Sequence, residues 1–450
     1  MTLSLEQVTA LAPDASAAAA GRKLADPGVW KGLGRNADAL WGECQGSALY
    51  QVRVALADLT AKCTCPSRKL PCKHSLGLLF LAAGQPARVP TGAPPAWLTE
   101  WLGKRAASAE KKAKKKARSA EPADPAAQAR RVERRQERVA QGLEALVLWL
   151  RDLVRGGLAG VDAQGPQLWE SQAARMVDAQ APAVATRLRR MAELPRSSPD
   201  WPQRLLLQLG RLALLSHAFR RLDALAAPLQ HDVRQLVGWT VNQEDVVTAG
   251  DIVSDDWVVL GQSVDDDVRL RVQRSWLRGV ASGREALVLQ FSAAGAPFPE
   301  TILPGTRLSA DLAFWPSACP QRALIHARRG SPTPWRDSLP GHDTIAGFLE
   351  SVAERLARQP WLERFGCSLR GVTPASPPGP LSATAERGNA WCVVDTTGAA
   401  LPLKGDDHWR LLAFSGGAPL DLAGEWDGER LLPLGAVVDG RYEVLWTSQQ

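Results

Sequence analysis

Ala61-Lys-Cys-Thr-Cys-Pro-Ser-Arg-Lys-Leu-Pro-Cys-Lys-His74 places three thiols and an imidazole, Cys63, Cys65, Cys72 and His74, within twelve residues. Zinc favours four thiolate or imidazole ligands in a tetrahedron, and a C-x-C pair followed by a C-x-H pair supplies such a set. If Cys63 and Cys65 lie on a strand, its two-residue period turns both sulfurs to one face. Pro66 to Pro71 forms the loop that brings the chain back, so that Cys72 and His74 close the site. A helix is predicted directly after it, Ser75-Leu-Gly-Leu-Leu-Phe-Leu-Ala-Ala83, stopped by Gly84 and Pro86. The stretch therefore reads as a small ββα knuckle around one structural Zn²⁺.

Upstream of the knuckle stand Trp30, the run Gly32-Leu-Gly-Arg-Asn-Ala-Asp-Ala-Leu-Trp-Gly-Glu-Cys-Gln-Gly-Ser47 and a strand pattern over Ala48-Leu-Tyr-Gln-Val-Arg-Val-Ala55. With the C-x-C…C-x-H spacing, about sixty residues resemble the SWIM-type zinc finger, and the longer stretch is similar to bacterial SWIM zinc-finger proteins. The resemblance implies one zinc held by Cys63, Cys65, Cys72 and His74. It also implies DNA binding or protein contacts, in a setting alongside a MoxR-type ATPase and von Willebrand A-like proteins.

The chain has 450 residues, 45% of them apolar, enough for about three domains with cores of their own. Apolar runs such as Ala145–Leu150 are far shorter than the roughly twenty residues that cross a bilayer. The N-terminus shows no basic leader followed by an apolar core, so no secretory signal is expected. Seven cysteines, four of them scattered at Cys44, Cys319, Cys367 and Cys392, give no disulfide framework, and a reducing, cytoplasmic setting is inferred. The net charge of +7 is local: Lys104 to Arg118 holds eight basic residues and one acid, Glu110, so the rest of the chain sums to zero.

The predicted organisation is an α+β multidomain chain. Residues 1–85 form the zinc module and 86–129 a Pro/Ala/Lys-rich basic linker, with a short amphipathic turn at Trp97–Leu102 and then Lys104–Arg118, where like charges and the absence of an apolar stripe oppose a stable helix. Residues 130–238 read as a helical domain: Val139, Leu143, Leu146, Val147, Leu150, Leu153 and Val154 line one helix face, with further helices at about 169–192 and 203–224. Residues 239–450 read as β-rich and barrel-like, with a helix near 345–358. Strands are expected at 286–291, 307–314, 323–327, 391–395, 408–414, 429–433 and 441–446.

Four protein ligands leave a zinc ion no open position, which makes the metal structural. Lys62, Arg68, Lys69 and Lys73 surround the ligands; compensation of the thiolate charge is the preferred reading and a phosphate-binding edge the alternative. Cys44 reads as a small buried side chain, not a fifth ligand. Gly32-Leu-Gly-Arg-Asn-Ala37 reads as a turn, because no βαβ unit surrounds it. Glu244 to Asp267, with eight acids and no base, reads as solvated turns. His217, His231, His326, His342 and His408 fall in no catalytic arrangement, so no catalytic residue is assigned. The expected function is that of a non-enzymatic adaptor working by protein contacts. The alternative is non-specific nucleic-acid binding through the knuckle and the Lys-rich linker.

Overall fold

Leu40, Val52 and Val54 alternate with Trp41, Arg53 and Ala55, which sorts them onto opposite faces of a sheet. The structure, a computed structural model, describes residues 4–12, 15–46, 48–67, 71–118, 125–266, 270–293, 298–376 and 391–445. It begins with helices α1 (Leu5–Ala10) and α2 (Ala15–Lys23), followed by strands β1 (Trp30–Arg35), β2 (Ala39–Gln45), β3 (Leu49–Ala55) and β4 (Ala61–Cys63). The strands form an antiparallel sheet in the order β1-β2-β3-β4. Gly32 does not sit in a simple turn: at φ +56° it lies within a bulge of β1, between Lys31 and Gly34.

One sheet face, with Leu40, Cys44, Val52 and Val54, packs on α3 (Lys73–Gly84), whose Leu76, Leu79 and Phe80 are buried. Cys44 is fully buried in this core, as a small apolar side chain would be. The other face carries Ala39, Trp41 and Ala55 and packs on Leu98 and Trp101 of α4 (Ala96–Arg118). The stretch 86–129 thus differs from a plain linker. Its Trp97, Leu98, Trp101 and Leu102 have a wall to bury against, so a helix forms despite the lysines that follow. The next helix, α5 (Pro125–Arg155), starts before the stretch ends, and residues 119–124 lie outside the described residues.

α5 is joined by α6 (Val161–Gln164), α7 (Pro166–Asp178), α8 (Pro182–Met191), α9 (Trp201–Arg220) and α10 (Ala227–Val237) around one core. Val139, Leu143, Leu146 and Leu150 face it, with Trp169, Leu188, Leu205 and Leu209 opposite. The single helix expected over 169–192 is two. Gln180 adopts φ +62°, and Pro182 starts α8 at a position where no amide donor is needed.

After α11 (Gln243–Ala249), strands β5 (Asp251–Asp266), β6 (Leu270–Gly279), β7 (Glu285–Ala293), β8 (Thr306–Phe314), β9 (Arg322–Arg328) and the short β10 (Thr333–Pro334) form a second sheet. β5 pairs with both β6 and β8, β7 pairs in parallel with β9, and β9 returns to β8, so the sheet closes into a barrel. Its interior holds Trp257, Val259, Leu277, Val288, Leu308, Leu312 and Phe314.

Helix α12 (Ile345–Arg358) leads into β11 (Phe365–Ala375), β12 (Cys392–Val394), β13 (Ala400–Pro402), α13 (Trp409–Ser415), β14 (Leu420–Trp426), β15 (Leu431–Val438) and β16 (Arg441–Val444). The third sheet runs β13-β12-β11-β14-β15-β16, and a parallel bridge from Leu403 to Leu431 closes it between β13 and β15. Both barrels therefore follow one path, with strands in the order first, second, third, fifth, fourth and back to the first, and the third and fifth parallel. Five strands closed in this way are the architecture of the OB-type barrel.

Two local expectations change. Residues 408–414 are not a strand, because Leu411 and Ser415 bury at helical spacing and Gly416, at φ +59°, ends the turn. The acidic stretch from 251 on is the long strand β5 and not a set of turns. Its carboxylates are matched by neighbours: Asp251 by Arg284, Asp265 by Arg274, and Asp255 by the backbone amides of Ala281 and Ser282 at 3.1 and 2.8 Å. Asp267 lies outside the described residues.

The barrels meet through Val258, Leu260 and Trp276 of the first and Ala423, Leu432, Leu434 and Val437 of the second. Contact is close enough that a Cβ on Gly261 would stand 2.3 Å from that of Leu434. At the centre of this joint Glu425, 1% exposed, accepts from Arg274 Nε at 3.1 Å, from Trp276 Nε1 at 2.9 Å and from Arg364. Removing one partner of a buried ionic network strands the others without solvent. Glu425→Ala is therefore expected to destabilise the barrel region by about 3–5 kcal/mol. Urea unfolding of the two proteins checks this, and a loss near zero would mean that water reaches the joint.

Candidate metal centre

Strand β4 is only three residues long and pairs with β3 through Val54↔Ala61, Arg53↔Lys62 and Val52↔Cys63. The last pair sets Cys63 beside Val52, on the face that α3 covers. Cys65 lies past the end of the strand, so a shared strand face does not account for its position. A tight turn does: the Cys65 amide donates to Cys63 Sγ at 3.4 Å, while Thr64 holds β3 through Gln51, with its amide donating at 3.2 Å and its hydroxyl accepting at 3.0 Å. After the loop, Cys72 is the N-cap of α3 and His74 stands in the helix's first turn. Both are buried, with His74 5% exposed, whereas Cys63 and Cys65 are half-buried at the rim.

The four donor atoms lie within 4.8 Å of one another, and Cys63 Sγ is 3.7 Å from His74 Nδ1. With Zn–S near 2.3 Å and Zn–N near 2.05 Å, a tetrahedron has S···N edges of about 3.6 Å and S···S edges of about 3.8 Å. The donor set and its spacing fit one structural Zn²⁺, with Nδ1 as the histidine donor. Ring contact with Tyr50, centroids 4.8 Å apart, fixes the imidazole plane, and Ser75 Oγ lies 3.4 Å from Cys72 Sγ.

Protons report the same crowding. The hydrogen bond shared by Cys63 and Cys72 holds Cys72 below the usual thiol range, helped by His74 and Ser75, and raises Cys63, which burial raises further. Burial also raises Cys65. Without a metal, one sulfur is favoured as the thiolate and its neighbours keep their protons; a bound cation would favour all three as thiolates.

Of the basic residues expected around the ligands, Lys62 and Lys73 are exposed, and Arg68 and Lys69 lie outside the described residues. Sequence reading passed over Arg53, which is 9% exposed on β3. The alternation of the strand marked it as facing away from the core that holds Cys63, but nothing in the sequence said that the far face is covered. The histidines outside the cluster stand apart: His217 on α9, His231 on α10, His326 on β9, His342 before α12 and His408 at the cap of α13.

Purified protein should carry one zinc per chain, and Cys63→Ser and His74→Ala should each lose most of it, as read by elemental analysis. Because metal binding in small fingers is worth about 10–16 kcal/mol, a strong chelator should unfold the sheet of β1–β4 and leave the barrels folded. In the cobalt-substituted protein, the thiolate-rich tetrahedral spectrum should be unchanged by added azide or cyanate; a response would reveal an exchangeable coordination position.

Two family models match the chain: the SWIM zinc finger over residues 50–83 and the SWIM-associated four-helix bundle domain over residues 134–237. No curated protein and no solved structure matches it. The finger model spans all four donors and α3, and the bundle model spans α7 to α10 and most of α5. Both elements stand in one polypeptide, which thus carries a SWIM zinc finger and a SWIM-associated four-helix bundle.

Proposed function

We propose that this protein is a non-enzymatic adaptor that acts through protein contacts, with its zinc finger as a structural element. The observation that carries this reading is the closure of the metal cluster. Four side chains converge on one point, so a tetrahedral ion held there has no site for a substrate or an attacking water. The finger is also built into the rest of the chain. Leu303, just before β8, belongs to its core, Gln7 Nε2 donates to the Gly305 carbonyl at 3.3 Å, and Ser331 Oγ donates to the Leu56 carbonyl at 3.3 Å. A finger fixed in this way supports a broad contact surface made of several units. The MoxR-type ATPase and von Willebrand A-like partners implied by the resemblance belong to this proposal, as does a cytoplasmic setting. Among the described residues no helix is long and apolar enough to cross a membrane.

One observation favours a second reading, non-specific binding of nucleic acid. The eight basic residues of Lys104–Arg118 belong to α4, a single helix anchored on the finger. Phosphate contacts from such a segment carry affinity without sequence preference.

Affinity purification of the full chain from its native host, with and without nuclease, separates the two. The adaptor reading expects the same protein partners in both samples; loss of every partner after nuclease would replace it with the nucleic-acid reading. In the second case, engagement of about five phosphates of duplex DNA gives a log–log salt slope of roughly −4.5, and replacing Lys111, Lys112, Lys114, Lys115 and Lys116 by Gln should flatten it.

A further inference from the structure

Arg53 is buried on the face of the finger sheet opposite the ligands, one register position from Cys63. Aromatic rings hold it. Its guanidinium carbon lies 5.5 Å from the ring centre of Trp97 and 5.7 Å from that of Trp101, both on α4. One turn further along α4, Arg105 lies 5.1 Å from the Trp101 ring and donates to Asp58 at 2.6 Å. Among the described residues no carboxylate pairs with Arg53, and its Nε has no hydrogen-bond partner. A buried guanidinium without a salt bridge is costly, and cation–π contact offsets only part of that cost.

The metal cluster presents the complementary problem. Zn²⁺ with three thiolates and a neutral imidazole carries a net charge of −1 in a half-buried site. Lys62 and Lys73 are exposed, where water screens them. Arg53 is the buried cation on the adjoining strand, on the other face of the sheet from Cys63, where burial leaves its charge less screened than that of an exposed lysine. Burial presses the Arg53 guanidinium below the usual arginine value.

We propose that Arg53 is the counter-charge of the zinc centre and that Trp97 and Trp101 are positioning residues that hold it in place, so that the start of the Lys-rich helix forms part of the metal site. Contact between α4 and Arg53 then strengthens zinc binding, and by linkage bound zinc strengthens the attachment of α4. The proposal is independent of whether the chain's partner is a protein or a nucleic acid.

The test is zinc affinity of the full chain, measured by competition with the chromophoric chelator 4-(2-pyridylazo)resorcinol. Arg53→Met keeps the apolar stem and removes the charge, and should weaken zinc about tenfold, the lower end of what loss of an outer-shell partner costs. Arg53→Lys keeps the charge and should recover most of the affinity. Trp101→Leu keeps an apolar contact for the sheet and should weaken zinc severalfold, with no ligand touched. A cobalt spectrum with the wild-type tetrahedral bands in each variant shows that the ligand set is intact. Zinc affinity within twofold of wild type in both Arg53→Met and Trp101→Leu would overturn the proposal. So would an Arg53→Lys protein as weak as Arg53→Met, since packing and not charge would then be the cause.

Discussion

Three sulfurs and an imidazole nitrogen within 4.8 Å of one another cannot all take the form that binds metal unless a cation is shared among them. This constraint organises the first hundred residues. β4 has three residues of pairing, so it would not hold its place on backbone hydrogen bonds alone. The cluster ties the end of β4 to the start of α3, and α3 carries Leu76, Leu79 and Phe80 into the core. Once α3 is seated, α2 can cross it closely where Gly21 and Gly77 leave no side chain in the way. A Cβ at either would fall within 2.7 Å of Leu76 or Leu24.

A different kind of charge pairing dominates the second half. There the carboxylates of β5 and β14 meet arginines across strands and across the barrel joint, with Glu425 buried inside that joint. The joint depends on shape as well. Gly366 faces Trp276, with room for no Cβ, just as Gly261 faces Leu434. The helical unit adds a third contact, where Trp361, just after α12, enters the bundle core and donates to the Arg211 carbonyl at 3.0 Å.

Features with a short-range cause were legible in the sequence. The metal ligands were, because coordination needs particular atoms at close spacing, and so was the bundle face of Val139, Leu143 and Leu146, because burial repeats with the helix. What depended on distant partners was not. Asp255 and Asp265 resemble turn residues until arginines and amides from other strands are set beside them. Trp97 and Trp101 look like a short amphipathic turn in a linker until Trp41 and Arg53 supply the other side. Residues 408–414 read as a strand because a short apolar run has no clear period, and only the barrel wall shows which side is buried. The barrel path was out of reach for the same reason, since closure depends on strands such as β7 and β9 that pair in parallel across an intervening strand.

In barrels of the OB type, oligonucleotides and oligosaccharides lie across the outer surface of the second and third strands. In the first barrel those strands are β6 and β7, and Trp276 on β6, with Leu287 on β7, is already roofed by Leu432 and Leu434 of its neighbour. One end of that face is filled from within the same polypeptide, while Leu270 and Phe291 further along it stay exposed. A ligand that ran the full length of this surface would have to displace a folded barrel anchored at Glu425. In the first barrel, part of this face serves as the joint between the two barrels.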